Sequence, residues 1–380
     1  MVFACGRAGQ ADSELAEDPV LVWKYDGLGR GYGGACISKE GIFVNAEEEG
    51  KSYTVCLELN GTFRWKAPNG LEFMGIEYTA SFPGTRSVPT VKGRQVYAAS
   101  GMGHLTCFDT RQGTVIWSVD LMNEFKGKLG EFGYSESPTV DRDRVYCFAG
   151  GKEDNLVALD RQTGKLVWSA PVKRDSFAYS TPILLNLPDR EILVGTSRNY
   201  IHVVDRQDGT LLSSYRLEDI RYGYEHCNSV VHQDGDLYFV ACEERGQGSL
   251  KLSLSKDGET LTEIWRNPEV LNIFGGFVVR DRWLYTTLEN KKLVALDKEN
   301  GRVKYAVRAE NGSIVQANEK LYVYGYNGKL QCFSLKNGEP ELNSEIRIRH
   351  GSGHHFSFPV ISDEMMYIRR GETLMAYSLK

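Results

Sequence analysis

The sequence predicts an all-β fold, an eight-bladed β-propeller of four-stranded antiparallel blades. Three observations support this prediction. Glycine and tyrosine account for 40 and 20 of the 380 residues, which favours short strands and tight turns, because glycine adopts positive φ and tyrosine suits half-buried strand surfaces. A four-strand pattern recurs with a spacing of roughly 37 to 52 residues, as in propeller blades. The two ends of the chain together supply one further blade.

The clearest copy of the repeat spans residues 137–168. Four apolar runs of strand length lie at 137–140, 145–148, 156–160 and 164–168, and polar turns separate them, which predicts a four-stranded meander. Asp160 is placed to accept bonds from backbone N–H groups two residues on, and Gly164 suits the left-handed position of a hairpin with a bulge.

A landmark residue marks the fourth strand of each unit. It follows a glycine by four residues, except at Trp265, where the turn is longer. The landmarks are Trp65, Trp117, Trp168, Ser213, Trp265, Tyr305 and Leu342. Five of the six tryptophans, counting Trp23, occupy this position. A large flat ring there can pack between neighbouring blades, so we expect these tryptophans to hold the ring of blades together rather than to act in catalysis.

The two termini account for the eighth blade. Residues 374–378 read as a third strand with no fourth strand after it, and residues 20–25 read as a fourth strand with no unit before it. Pairing these two segments closes the ring and removes the exposed sheet edges that invite aggregation. We therefore expect residues 19–380 to form a single propeller and residues 1–18 to form a flexible tether or the remnant of a signal.

The segment Ala158–Trp168 resembles the tryptophan-docking motif of pyrroloquinoline quinone (PQQ) repeats. Cys107–Trp117 is similar to it, and Leu296–Gly301 is similar in part. The resemblance implies the quinoprotein alcohol dehydrogenase-like propeller family. That family includes dehydrogenases with a quinone, calcium, a vicinal disulfide and a catalytic Asp, and compact, cofactor-free lipoproteins of outer-membrane β-barrel assembly. This chain has no Cys-Cys pair and no room for the dehydrogenases' insertions, so the resemblance favours the compact, non-catalytic type.

Charge and hydropathy exclude two other classes. The net charge is −5 and no long Lys/Arg run occurs, so a nucleic-acid partner is not expected, because that affinity comes mainly from clustered cations. No run of about 18 apolar residues is present, so no transmembrane segment is expected.

The cysteines and histidines do not predict a metal site. Cys56, Cys107 and Cys332 fill the third-strand slot that alanine fills in other blades, as small buried hydrophobes do. His350, His354 and His355 share one Gly-rich loop, which lacks the helical spacing that usually preorganises zinc ligands.

Cys5 is a candidate lipidation site. Residues 2–6, Val-Phe-Ala-Cys-Gly, resemble the lipobox of bacterial lipoproteins. Only four residues precede Cys5, so the charged and apolar regions of a signal peptide are absent from this sequence. The alternatives are a misassigned start, a trimmed sequence or a chance match. The lipoprotein hypothesis implies a bacterial cell-envelope location, either periplasmic or lipid-anchored at the outer membrane.

We expect a binding site at the mouth of the central channel, on the loops that lead into the innermost strands. Alignment of the eight loops gives one equivalent position held by Tyr32, Arg86, Ser135, Tyr179, His226, Phe274, Asn311 and Phe356. The next position includes Glu136 and Ser357, and His355 lies beside Phe356. The candidate ligand-binding residues are Tyr32, Arg86, Glu136, Tyr179, His226, Phe274, Asn311, His355 and Phe356. The alternative is that they only cap the inner strands.

Three hypotheses about function remain open. The first is a non-catalytic cell-envelope scaffold that binds a protein or peptide, since an aromatic rim suits an extended chain. The second is a PQQ-dependent oxidoreductase of reduced size with calcium, for which Glu136, Asn311 and Arg86 are the only rim groups available. The third is a glycan-binding accessory protein. No nucleophile–base pair is evident, so no catalytic residue is predicted.

Overall fold

The computed structural model describes residues 18–176, 178–217, 226–242 and 248–380. Within them the chain is almost entirely β-strand. The first sixteen strands are β1 (Val20–Tyr25), β2 (Cys36–Ser38), β3 (Gly41–Glu48), β4 (Lys51–Leu57), β5 (Phe63–Leu71), β6 (Thr90–Lys92), β7 (Gln95–Ala99), β8 (His104–Asp109), β9 (Val115–Asp120), β10 (Thr139–Val140), β11 (Arg144–Phe148), β12 (Leu156–Asp160), β13 (Leu166–Ala170), β14 (Ile183–Asn186), β15 (Glu191–Thr196) and β16 (Tyr200–Asp205).

The remaining strands are β17 (Leu211–Arg216), β18 (Val231–Gln233), β19 (Asp236–Val240), β20 (Ser249–Leu254), β21 (Leu261–Asn267), β22 (Phe277–Arg280), β23 (Trp283–Leu288), β24 (Lys292–Asp297), β25 (Val303–Arg308), β26 (Gly312–Ala317), β27 (Lys320–Gly325), β28 (Lys329–Lys336), β29 (Glu339–Arg347), β30 (Val360–Ser362), β31 (Met365–Arg370) and β32 (Thr373–Ser378). Helix is confined to α1 (Leu121–Glu124) and the 3₁₀ turns Glu77–Ser81 and Val172–Arg174 among the described residues.

The strands form eight antiparallel four-stranded sheets, as the sequence predicts. Blades 1 to 7 are β2–β5, β6–β9, β10–β13, β14–β17, β18–β21, β22–β25 and β26–β29, each in sequence order. Blade 8 contains β30, β31 and β32 together with β1, which pairs with β32 and places Trp23 opposite Ala376. The first strands of neighbouring blades contact each other, β2 with β6 and β30 for example. First strands therefore line the central channel.

The landmark tryptophans dock each blade onto the next. The indole N–H of Trp117 donates to the backbone carbonyl of Arg161 at 2.9 Å, and that of Trp168 donates to Arg206 at 3.0 Å. The ring of Trp117 covers Gly164, where φ is +71° and an added Cβ would lie 2.7 Å from the ring. The docking turn therefore requires glycine both for its left-handed backbone and for the close approach of the indole.

The sixth tryptophan supplements a degenerate blade. Where the landmark is Tyr305 instead of tryptophan, Trp283 at the start of β23 packs on that tyrosine, with ring centroids 5.3 Å apart. An added Cβ at Gly338 in the next blade would lie 1.9 Å from the indole nitrogen of Trp283. An indole thus still fills this junction, although it comes from a different strand.

The cysteines behave as small core residues, as expected. Of the seven in the described part of the chain, six are buried and Cys227 is half-buried. Burial raises the pKa of Cys56 and of Cys107 to about 12. Cys5 lies outside the described residues. No helix in the described ranges is long and apolar enough to cross a bilayer.

Candidate functional site

The loops that enter the inner strands meet at one mouth of the channel, where they form an aromatic cluster. We define the mouth cluster as Tyr32, Phe82, Phe132, Phe274, Tyr326, His354 and Phe356. Phe356 is its centre, because its ring centroid lies 5.7 Å from that of Tyr32, 5.2 Å from Phe274 and 5.4 Å from Tyr326. The His354 ring is stacked on it at 4.7 Å with an interplanar angle of 6°.

The cluster joins loops from distant blades. Phe82, from the loop before β6, lies 6.3 Å from Phe356 and 5.2 Å from His354. It also meets Phe132 of the next loop edge-on at 6.2 Å, while Tyr78 packs on both phenylalanines. Tyr78 is 60% exposed, so an apolar surface continues from the cluster into solvent.

Arg86 supplies the one cation of the predicted rim position. Its guanidinium donates to the backbone carbonyls of Phe82 at 2.6 Å and Gly84 at 2.9 Å. The guanidinium carbon also lies 5.5 Å from the ring centre of Tyr32 and 5.3 Å from that of Phe132, which is the range of cation–π contacts. Burial lowers the pKa of Arg86. Arg86 therefore anchors the loop that carries Phe82 and supports two rings of the cluster.

The second aligned position faces the blades rather than the opening. The Glu136 side chain is wholly buried, and its carboxylate oxygens accept the Phe148 backbone N–H at 3.1 and 3.2 Å. The hydroxyl of Ser357 makes the comparable bond to the Arg369 carbonyl at 2.5 Å. Burial raises the pKa of Glu136 well above its usual range. Glu136 thus ties the start of an inner strand to the second strand of its own blade.

The two candidate histidines are also turned inward. His226 is fully buried and pairs through Nδ1 with the Cys242 thiol, 3.6 Å away, with its ring against Phe239. His355 pairs through Nδ1 with the Tyr324 hydroxyl at 2.6 Å. Burial lowers the pKa of each imidazole to about 4. Both rings therefore remain neutral at neutral pH.

Tyr179 and Asn311 position members of the cluster. The Tyr179 hydroxyl accepts the backbone N–H of Phe132 at 2.9 Å, and the Asn311 carbonyl accepts that of Tyr326 at the same distance. The structure therefore brings Tyr32, Arg86, Phe274 and Phe356 together directly and connects Tyr179 and Asn311 to them through loop backbone. It places Glu136, His226 and His355 beneath the surface of the mouth.

Sequence alignment of the loops missed Phe82, Phe132, Tyr326 and His354. These residues lie outside the aligned position: Phe82, Phe132 and His354 precede it in their loops, and Tyr326 lies on the turn between β27 and β28. One signal was available: the stretch from residue 71 to residue 82, Leu-Glu-Phe-Met-Gly-Ile-Glu-Tyr-Thr-Ala-Ser-Phe, is too apolar for an ordinary solvent-exposed loop.

The residues of the mouth do not fit PQQ and calcium. Aromatic rings in mutual contact occupy the position over the channel, and the guanidinium of Arg86 already binds two carbonyls. Glu136, the carboxylate proposed for the cation, is buried against Phe148 and shifted toward its neutral form. Among the described residues, no group of three His, Cys, Asp or Glu side chains is placed to hold a metal ion. No reaction step is therefore assigned to such a group.

Comparison with known proteins now identifies the family. Residues 51–306 match the family described as outer membrane protein assembly factor BamB. This chain belongs to that family. The BamB of Moranella endobia is 25% identical over 264 residues, which span 66% of this chain and 64% of that protein. The BamB of Salmonella typhimurium is 27% identical over 132 residues, which span 35% of this chain and 29% of that protein.

A solved BamB structure has the same fold. The crystal structure of BamB from Moraxella catarrhalis superposes with a TM-score of 0.66 at 13% sequence identity, covering 96% of this chain and 98% of that one. Because the identity is low, this likeness establishes the propeller and not the details of the mouth. The predicted resemblance to PQQ-repeat propellers of the compact outer-membrane assembly type is confirmed.

Proposed function

We propose that this protein is a non-catalytic scaffold of the bacterial cell envelope that captures an extended segment of a partner protein at its channel mouth. It would do so during the assembly of outer-membrane proteins. Two observations support the proposal. The chain belongs to the BamB family of assembly factors, and its mouth carries contiguous aromatic rings from several blades.

The observation that carries the proposal is the mouth cluster itself. An aromatic surface at the opening can bury apolar side chains of a partner, and aromatic pairs contribute roughly 0.5–1.5 kcal/mol each beyond the buried area. His226 and His355 are neutral there, and the one cation of this position, Arg86, is held by backbone carbonyls and aromatic rings. A partner segment that presents aromatic and aliphatic residues fits this surface better than a charged one.

Segments of outer-membrane β-barrels have this character. Their strands alternate apolar and polar residues and carry aromatic girdles at both membrane interfaces. In an unfolded chain those aromatic residues are exposed, and they would pack on Phe356, Phe274 and Tyr78. No cofactor is needed for this role, and a glycan is an alternative occupant of the same aromatic surface.

The direct test is to remove the centre of the cluster. The variant Phe274→Ala/Phe356→Ala should bind a fluorescent ten-residue peptide with an alternating aromatic and polar pattern at least tenfold more weakly in anisotropy titrations. The matched control is Val303→Ala/Leu342→Ala, which removes two exposed apolar side chains from outer strands and should bind as the native protein does.

Equal affinity of the native protein and the cluster variant for the peptide would contradict the proposal. A glycan array provides the second measurement: cluster-dependent glycan binding without peptide binding would assign the mouth to carbohydrate. Circular dichroism and thermal unfolding of both variants check that the propeller remains folded.

We also propose that Cys5 anchors the chain to the outer membrane. Metabolic labelling with a palmitate analogue in the full reading frame should lose incorporation in Cys5→Ala and keep it in Cys227→Ala. Unchanged labelling of Cys5→Ala would rule out the anchor and favour a location free in the periplasm.

A further inference from the structure

Four blade junctions present an equivalent residue on the face opposite the mouth. The carbonyls of Thr110, Arg161, Arg206 and Lys298 each accept the indole N–H of the docking tryptophan of the preceding blade, at 2.8 to 3.0 Å. The shared bond fixes these backbones in the same place. Because the backbones occupy equivalent positions, differences in how these side chains form ion pairs arise from the charged residues around them.

Two of the three cations at this position are neutralised by the preceding blade. Arg206 forms ion pairs with Asp141 and Asp143 on the turn between β10 and β11, and Glu191 adds a third at 3.1 Å. Lys298 pairs at 3.1 Å with Asp234, on the turn between β18 and β19. The junction thus normally provides an acidic turn for a basic residue.

The junction of blades 2 and 3 reverses this arrangement. The turn that faces Arg161 contains Lys92, Gly93 and Arg94 in place of acidic residues. Arg161 donates from Nη1 to the Lys92 carbonyl at 3.3 Å, while its Nε is buried and has no hydrogen-bond partner within the described residues. Among the residues that the structure describes, neither Arg161 nor Lys92 forms an ion pair. Arg94 pairs with Asp109 at 3.1 Å.

A cavity of about 470 Å³ opens at this junction. Its lining includes Lys92, Arg94, Arg161, Asp109, Gln95 and Gln162. Three cations against one carboxylate give the lining a formal charge of +2, which a phosphate dianion neutralises. The cavity is largely open to solvent, and its volume leaves room for a phosphate together with the organic group that carries it.

We propose that this cavity binds a phosphate monoester, with Arg161 as its principal contact. The planar guanidinium of arginine can donate two parallel bonds to phosphate oxygens, and Arg161 lines the cavity without an ion-pair partner among the described residues. Lys92 and Arg94 add charge from the preceding blade. A soluble phosphate compound and a phospholipid headgroup share this chemistry. The site is separate from the mouth cluster and does not depend on its function.

Calorimetric titration with glycerol 3-phosphate at constant ionic strength tests the soluble form. Arg161→Gln keeps the backbone carbonyl that Trp117 needs and removes the charge, so the Kd should rise at least tenfold. Lys165→Gln removes an exposed cation of the same blade that does not line the cavity, and its Kd should stay within twofold of the native value.

Sedimentation with phosphatidylcholine vesicles, with and without phosphatidic acid, separates the two sources. Binding that requires phosphatidic acid and is lost in Arg161→Gln assigns the site to a lipid headgroup. Binding of glycerol 3-phosphate alone assigns it to a soluble phosphate compound.

Two results would overturn the proposal. One is that Arg161→Gln and Lys165→Gln behave alike with glycerol 3-phosphate and with phosphatidic acid vesicles, whether both variants bind or neither does. The other is Arg161-dependent binding of hexaglutamate in the absence of phosphate binding, which would make the cavity a site for an acidic peptide.

Discussion

The two faces of this propeller follow opposite rules. On the face opposite the mouth, the same contact recurs from blade to blade: an indole covers a glycine turn and donates to a backbone carbonyl at Thr110, Arg161, Arg206 and Lys298. At the mouth, equivalent positions hold tyrosine, arginine, histidine, asparagine and phenylalanine. The contacts that hold neighbouring blades together are thus repeated from blade to blade. The residues at equivalent positions of the mouth differ from blade to blade.

The comparison also holds for individual charges. Arg206 and Arg161 share a backbone position, yet three carboxylates surround the first and cations face the second. A single blade that departs from the repeated pattern of ion pairs is thus a more specific indication of a binding site than the repeated pattern itself.

Replacing a docking tryptophan should have the largest effect. Trp168→Ala removes a buried ring and its bond to the Arg206 carbonyl, and it should lower the free energy of unfolding by about 3–5 kcal/mol. Its neighbour Val167 is 45% exposed, and Val167→Ala should cost less than about 1 kcal/mol. Equilibrium urea unfolding measures both. Equal losses would show that the repeated contact does not stabilise the ring.

The glycine under the indole should show an intermediate effect. Gly164→Ala strains a left-handed backbone and pushes a Cβ against Trp117, so it should cost about 2–4 kcal/mol. Gly235 has a φ of +86° and no atom near its added Cβ, so Gly235→Ala should cost about 1 kcal/mol. The difference between their unfolding midpoints in urea isolates the indole contact. Identical midpoints would attribute the whole cost to backbone strain.

The smallest effect is expected at the mouth and depends on pH. The pKa of Glu136 is raised in the folded state, so its contribution to stability is fully present below the unfolded pKa and is lost as pH rises through the folded pKa. Glu136→Gln keeps an acceptor for Phe148 without the charge. The variant should be more stable than the native protein at pH 8 and no more stable at pH 4.

Thermal unfolding at both pH values measures this difference. Glu341→Gln, at an exposed site, serves as the control and should leave the melting temperature unchanged at each pH. A gain in Glu136→Gln that is the same at pH 4 and pH 8 would mean that the pKa of Glu136 does not differ between the folded and unfolded protein.

Much of the fold could be predicted because propeller repeats carry local signals. The glycine four residues before Trp168 and the alternating apolar runs of blade 3 arise within one blade, where neighbours in sequence are neighbours in space. The role of Trp283 could not be predicted in this way. Trp283 lies on the second strand of its blade, whereas the docking tryptophans lie on fourth strands. Only its contacts with Tyr305 and Gly338 reveal that it takes their place.

The mouth was predicted in location but only partly in composition. Alignment placed Tyr32, Phe274 and Phe356 together, and their rings do converge. The same alignment could not show that Glu136 and His226 turn into the blades, since the orientation of a side chain depends on partners such as Phe148 and Cys242. Phe82 and Phe132 come from long loops whose path is set by tertiary contacts.

The number of blades and the strand order follow from the sequence because each reflects a periodic pattern of residues close in the chain, and the closure of the ring follows from the incomplete units at the two ends. The three-dimensional structure was needed to show that Phe82 joins the rings over the channel and which cations remain unpaired. Phe82 contacts Phe356, and the cavity joins Lys92 to Arg161. Such contacts depend on how separate blades meet, and no local pattern specifies them.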